Sequence, residues 1–194
     1  MFFDHPNRVI FIHNPKTGGR SIAKLFDFDD SEPFRFAHIS PAVIRKKFFQ
    51  SDWNNFFSFC FVRNPWRRYV SLYNFQRSAT YAAMMNNNFS STIARHFLLN
   101  EWMEYNTLSP QKANWFGVDQ KLWWSGVTKA FRFEEIDRAH SELAHKFNLS
   151  NFLPHENASP LSESPDVDRL SDRSKDIIAE LDRETIDEFG YVPE

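Results

Sequence analysis

Glycine is scarce in this chain, five in 194 residues, and two of the five stand side by side at Gly18 and Gly19. Cysteine is scarcer still. Cys60 is alone, which excludes an intramolecular disulfide and makes a reducing, cytoplasmic setting the natural expectation. Within "FFSFCFV" it reads as a small buried hydrophobe. No apolar run approaches the roughly 20 residues of a membrane span, so no membrane insertion is expected. "MFFDHPNRV" has no basic region followed by a long apolar segment and does not read as a signal peptide. Net charge is lacking too: a formal charge of -2 provides no global basic field for nucleic acid or acidic membranes. Nucleic acid is therefore not expected as a partner, and any anion site must be local. Metal-ligand spacing is also missing, because His140 and His145 would not share a helix face, so no metal is expected.

What the chain has in abundance is aromatic side chains, with 22 Phe and 6 Trp, which point first to a Phe-rich core. Its length fits one domain over residues 1–194, long enough to bury a sizeable core. "RVIFIH" (8–13) and "FFSFCFV" (56–62) are short β-branched and aromatic runs of the kind found in buried parallel strands. Each leads through a turn signal into a helical pattern, "RSIAKLFDF" after the first and "PWRRYVSLYNFQR" after the second. A third strand is expected at "KAFRF" (129–133), with a helix through "EEIDRAHSELAHKF". Strand, tight loop and helix in succession predict an α/β fold, P-loop-like and three-layered, with a central mostly parallel sheet flanked by helices. Further helices are expected around 90–105 and 172–188, and the Ser-, Pro- and Asp-rich segment 150–172 reads as an exposed loop.

In such sheets ligands bind where strand ends lead into helices, and "NPKTGGRS" occupies that position. Gly18 and Gly19 have no Cβ, so their N–H groups can approach an anion closely. The helix that follows would add its N-terminal donors. Lys16 supplies a point charge, and Thr17 and Ser21 offer hydroxyls. The plain alternative is a Gly-Gly turn with a solvated lysine. A standard ATPase loop is disfavoured, because here the lysine precedes the glycines instead of following them.

"FCFVRNPWRRYVSLYNF" carries the second strand into its helix, with Asn64 as cap and Pro65 at the first helical position. Arg63 then projects from the strand end in the same region of the sheet as the first loop. Ser71 follows Pro65 by six residues, roughly 9 Å along a helix axis. Arginine suits phosphate because its planar fork donates two hydrogen bonds at once. For Arg67 and Arg68 the competing reading is a solvated helix face, expected to hold for at least one of them. Two anion sites at two strand ends suggest a nucleotide phosphorylated at both its 5′ and 3′ positions.

"PKTGGRS" followed some forty residues later by "FVRNPWRRYVSLYNF" resembles the PAPS-dependent sulfotransferases, most closely the carbohydrate-type group with bacterial and Golgi members. "FAHISPAVIRKKF", "SPQKANWFG", "AFRFEEI", "LPHENAS" and "IDEFGY" continue the resemblance in order over most of the chain. The resemblance implies that Lys16, Thr17, Gly18, Gly19, Arg20 and Ser21 hold the 5′-phosphosulfate of PAPS, and that Arg63 and Ser71 hold its 3′-phosphate. Arg20 stands where the family often has threonine, a change compatible with binding by main-chain donors. The implied reaction moves a sulfuryl group to an acceptor hydroxyl, from a small molecule or a carbohydrate, and releases 3′,5′-ADP.

Lys16 would meet the charge growing on the departing 5′-phosphate. His38 in "RFAHIS" is the first candidate for the base that takes the acceptor's proton, and Glu32 in "SEPF" is its rival. His13 is read as support for the loop backbone, and His155 as a site-bordering residue or, the favoured reading, a loop histidine without function. The segment with Gln111 and Trp115 is a candidate to close over the adenine or acceptor, with a core role favoured for Trp115. Two other classes stay open at this point: a P-loop-like kinase, and a non-catalytic nucleotide-binding domain on the same fold.

Overall fold

The computed structural model describes residues 2–4, 6–26, 38–149 and 166–193. In chain order these form β1 (Phe2–Asp4), β2 (Val9–Ile12), α1 (Gly19–Leu25), α2 (Pro41–Ile44), β3 (Phe57–Val62), α3 (Pro65–Arg77), α4 (Ala79–Met84) and α5 (Phe89–His96). There follow α6 (Leu99–Leu108), α7 (Lys121–Trp124), β4 (Lys129–Arg132), α8 (Ile136–Phe147), α9 (Asp172–Leu181) and α10 (Arg183–Phe189). The chain divides into two compact units, Met1–Arg63 with Gln120–Asn157, and Asn64–Asp119 with Ala158–Glu194.

In the first unit the strands lie side by side in the order β1-β2-β3-β4. β2 pairs parallel with β3, and β3 parallel with β4, while β1 runs antiparallel along β2. The register sets Phe11 beside Phe59 and Phe61 beside Phe131. Their rings stack across the strands at centroid distances of 5.1 and 5.5 Å. Such pairs add about 0.5–1.5 kcal/mol to the roughly 1.5–3 kcal/mol of burying each side chain. On this face Val9, Phe11, Phe59, Phe61 and Phe131 pack with Ile22, Ala23, Leu25 and Phe26 of α1 and its end, and with Ala139 and Leu143 of α8.

Strand periodicity turns the alternate residues to the other face, where Ile10, Ile12, Ser58, Cys60 and Val62 are also fully buried. Both faces are therefore covered, the condition that produces near-continuous apolar strands. Ser58, polar in this setting, is satisfied through its hydroxyl and amide by Thr128. The fold class is the expected one: α/β, with a mostly parallel sheet flanked by helices. β1 was not anticipated, since three residues carry no readable alternation. Between α2 and β3 the chain winds through a π-helical turn, Arg45–Phe49, and a 3-10 segment, Gln50–Asn55.

The second unit opens with α3, whose start follows the sequence expectation closely. Pro65 occupies the first turn, and Asn64 Oδ1 accepts from the N–H groups of Trp66 and Arg67. The helical stretch around 90–105 is two helices, α5 and α6, and the C-terminal helix is likewise two, α9 and α10. The second break falls at Asp182, whose side chain is fully buried and bonded to Arg68 Nη1 at 3.2 Å. Of the segment read as an exposed loop, 150–165 lies outside the described residues. Its described end departs from that reading, because a 3-10 turn over Val167–Arg169 buries Val167 and Leu170.

Candidate active site

The loop between β2 and α1 curls through two left-handed residues, Lys16 with φ 68° and Gly18 with φ 70°. For lysine this conformation costs on the order of 1–2 kcal/mol, a strain that persists only where the surroundings hold it. One such hold is Thr17, fully buried, whose hydroxyl donates to the main-chain oxygen of Asn14 at 2.8 Å. That bond uses the hydroxyl's one proton, so Thr17 would offer an anion its main-chain N–H and not its side chain. Ser21 is buried within the first turn of α1, and the N–H groups of Ser21 and Ile22 both return to Gly18 O.

The two glycines are explained by rings. A Cβ on Gly18 would lie 2.6 Å from the ring of Phe133, and one on Gly19 would overlap the imidazole of His13. The loop thus rests directly on aromatic side chains from the end of β2 and from the turn after β4. No side chain caps α1. Because the N–H of Ser21 already returns to Gly18 O, an external acceptor at this end would meet the N–H groups that precede it.

Arg63, one residue past β3, reaches back across the strand ends. Its Nη1 donates to the main-chain oxygen of Lys16 at 3.1 Å, and its guanidinium lies 4.9 Å from the centroid of the Phe133 ring. Phe133 therefore touches both Gly18 and Arg63, and the two motifs singled out in the sequence meet on one ring. Beneath them Gln120, fully buried, bridges the strand ends. Its Oε1 accepts from Asn14 Nδ2 at 2.9 Å and from Arg63 N at 3.0 Å, and its Nε2 donates to Arg63 O at 2.8 Å. Asn14 Nδ2 also donates to Phe61 O at 3.0 Å.

His38 joins the same unit from the far side of the loop. Its Nδ1 stands 2.9 Å from His13 O, and Trp123 Nε1 donates to His38 O at 2.9 Å. A carbonyl oxygen can only accept, so Nδ1 carries the proton of this bond, and in a neutral imidazole the lone pair would then lie on Nε2, as a general base requires. The His38 ring lies 4.4 Å from that of His13, and its own backbone is left-handed, with φ 69°. Lys16 and His38, the two candidate catalytic residues, are both held in this uncommon conformation.

Lys16 to Ser21, His38 and Arg63 belong to the first unit. Ser71 belongs to the second, half-buried on α3. Glu32 and His155 lie outside the described residues. Arg67 is exposed, as its plain reading had it, whereas Arg68 is 1 % exposed and paired with Asp182 and with Val118 O. Trp115 is half-buried and Gln111 exposed. Among the described residues no group of three His, Cys, Asp or Glu is arranged to hold a metal ion. Burial pushes the Cys60 thiol far above its ordinary range, which makes it an inert part of the sheet and no nucleophile. Sequence reading missed Gln120, Trp123 and the double contact of Phe133, because nothing local marks them. Asn14, inside the glycine loop motif, could have been found from its position alone.

The sulfotransferase family profile matches residues 1–186. No curated protein matches the chain, and no solved structure does.

Proposed function

Because the chain belongs to the sulfotransferase family, we propose that it transfers a sulfuryl group from PAPS to an acceptor hydroxyl, releasing 3′,5′-ADP. The observation that carries this reading is the bond from Arg63 Nη1 to Lys16 O, which ties the two anion-binding motifs together at adjacent strand ends. The planar fork of a guanidinium suits a 3′-phosphate, and the resemblance to the family adds Ser71 as a second ligand.

The residues of the first loop fit the 5′ end of such a nucleotide. The start of α1, which no side chain caps, and the curled main chain ahead of Ser21 suit an anion approaching their N–H groups. PAPS, when bound, supplies a sulfuryl group whose S–O bond to the 5′-phosphate breaks as the acceptor oxygen attacks. Lys16 donates to the oxygen that gains charge as this bond breaks. His38 Nε2 takes the proton of the acceptor hydroxyl, while its Nδ1–H remains on His13 O and keeps the ring oriented. A sugar hydroxyl is the favoured acceptor through the likeness to carbohydrate-type enzymes.

The test is release of 3′,5′-ADP from PAPS in the presence of a panel of sugar, phenol and peptide hydroxyls. Lys16→Ala should lower turnover, and Arg63→Ala should weaken PAPS binding. Transfer that needs ATP and ignores PAPS would overturn the proposal in favour of a kinase. Tight PAPS binding without turnover on any acceptor would point to a binding domain.

A further inference from the structure

We propose that Gln120 is a positioning residue for the nucleotide's 3′-phosphate: it fixes the main chain of Arg63 and so aims the guanidinium. The proposal rests on the reading of Arg63 as a 3′-phosphate ligand. Gln120 is fully buried, and its amide reaches residues far away in sequence. It bonds both the N–H and the carbonyl of Arg63, and it also bonds Asn14.

The orientation of this amide is not arbitrary. Arg63 N–H can only donate and Arg63 C=O can only accept, so they dictate which end of Gln120 carries oxygen and which carries nitrogen. Asn14 is fixed the same way, because its Nδ2 also donates to Phe61 O. Gln120 therefore holds residue 63 by both of its main-chain polar groups, as an added strand would, just past the end of β3. Without this hold, the residue after the strand end would be free to rotate about its backbone. A small change there moves a long side chain's tip by several ångströms, and the productive geometry of an ion contact tolerates far less.

Arg63 is held at its other end as well, by Lys16 O and by the face of Phe133. Gln120 sets where the side chain starts, and these two contacts set where it lies. The role is separable from that of Lys16 and the glycine loop, whose main chain is braced by Thr17 and by the rings beneath it. This separation gives the proposal a signature that general destabilisation does not share. A loss at Gln120 should fall on the 3′-phosphate and spare the 5′ end.

The experiment measures calorimetric affinities of 3′,5′-ADP and 5′-AMP for the wild-type chain, Gln120→Met and Gln120→Asn. Both replacements are neutral, so neither alters the field at the site. Met keeps the volume and loses these bonds, while Asn keeps the amide but is too short to span both groups of Arg63. Gln120→Met should weaken 3′,5′-ADP binding about tenfold, the scale of losing buried hydrogen bonds, and leave 5′-AMP within about twofold. In an Arg63→Ala background the same change should cost nothing further. Asn, the milder change, keeps the test readable if Met lowers the melting temperature below the assay range. Equal losses for both nucleotides, or a full additional loss in the Arg63→Ala background, would overturn the proposal. A wild-type chain that binds the two nucleotides equally would instead overturn the assignment of Arg63 to the 3′-phosphate, and this inference with it.

Discussion

The imidazole of His13 fills the space that a side chain at Gly19 would need. The ring has little room to move away, because it stacks between Phe11, at a centroid distance of 5.9 Å, and His38, at 4.4 Å. Gly19→Ala should therefore destabilise the protein by about 1–3 kcal/mol, the usual cost of overpacking. The clash is with one named side chain, so His13→Ala in the same molecule should recover much of the loss. Urea unfolding of the two single variants and the double variant measures this. Strict additivity would show that the Gly19 requirement lies elsewhere.

His38 should respond to substitution in kcat and not in nucleotide affinity. Asn can keep the bond that Nδ1 makes to His13 O but has nothing in place of Nε2. His38→Asn should lower kcat by about 10²–10⁴, the range for loss of a general base. Its 3′,5′-ADP affinity should stay at the wild-type level. A variant that keeps the wild-type rate would remove His38 from the mechanism.

Asp182→Ala should be among the most damaging single changes in the second unit. It leaves Arg68, 1 % exposed, without the carboxylate that faces it at 3.2 Å. Stranding a buried charge in this way costs about 3–5 kcal/mol. Replacing both partners, as Arg68→Met with Asp182→Leu, should cost clearly less than Asp182→Ala alone. The comparison is made from denaturant midpoints. Arg67→Ala, at an exposed position on the same helix, should shift the midpoint little.

Stability should fall in alkali, and the sign follows from burial. The Cys60 thiol is raised above its ordinary 9.0 by desolvation, and the Tyr69 phenol above its ordinary 10.0 by desolvation and then by the nearby Asp182 charge. Below about pH 9 both groups are protonated in folded and unfolded chains, and no stability is lost. Above it, the unfolded chain releases protons that the folded chain retains. Each group then removes about 1.4 kcal/mol per pH unit beyond its ordinary value. Cys60→Ala and Tyr69→Phe should flatten the decline between pH 9 and 11, measured by urea unfolding. Native Cys60 should also resist a thiol reagent at pH 8 and react once unfolded.

The sequence was legible where the signal is local. The two central parallel strands could be read from "RVIFIH" and "FFSFCFV" because strands buried on both faces need unbroken apolar runs. The start of α3 could be read because Asn64 and Pro65 act within one turn. Lys16, the glycines and Arg63 could be singled out because each lies at the end of such a strand. Where neighbours in space are distant in sequence, the pattern fell silent. "GVDQKLWW" gives no hint that its glutamine grips Arg63 and its second-last residue, Trp123, grips His38.

By itself, then, the sequence determined the fold class, the positions of the two strand-end motifs and the family resemblance, all carried by short-range patterns of polarity and turn chemistry. Only the tertiary structure decided why the glycines are needed, since it folds the His13 ring back over the loop and brings Phe133 in from after β4. It also decided that Arg63 bonds to Lys16 O, that His38 Nδ1 stands on His13 O, and that Arg68 is buried while its neighbour Arg67 is not. Hydrogen-bond partners and burial depend on which segments meet when the chain closes. Neighbouring residues with the same charge and the same helix propensity can therefore end in opposite surroundings.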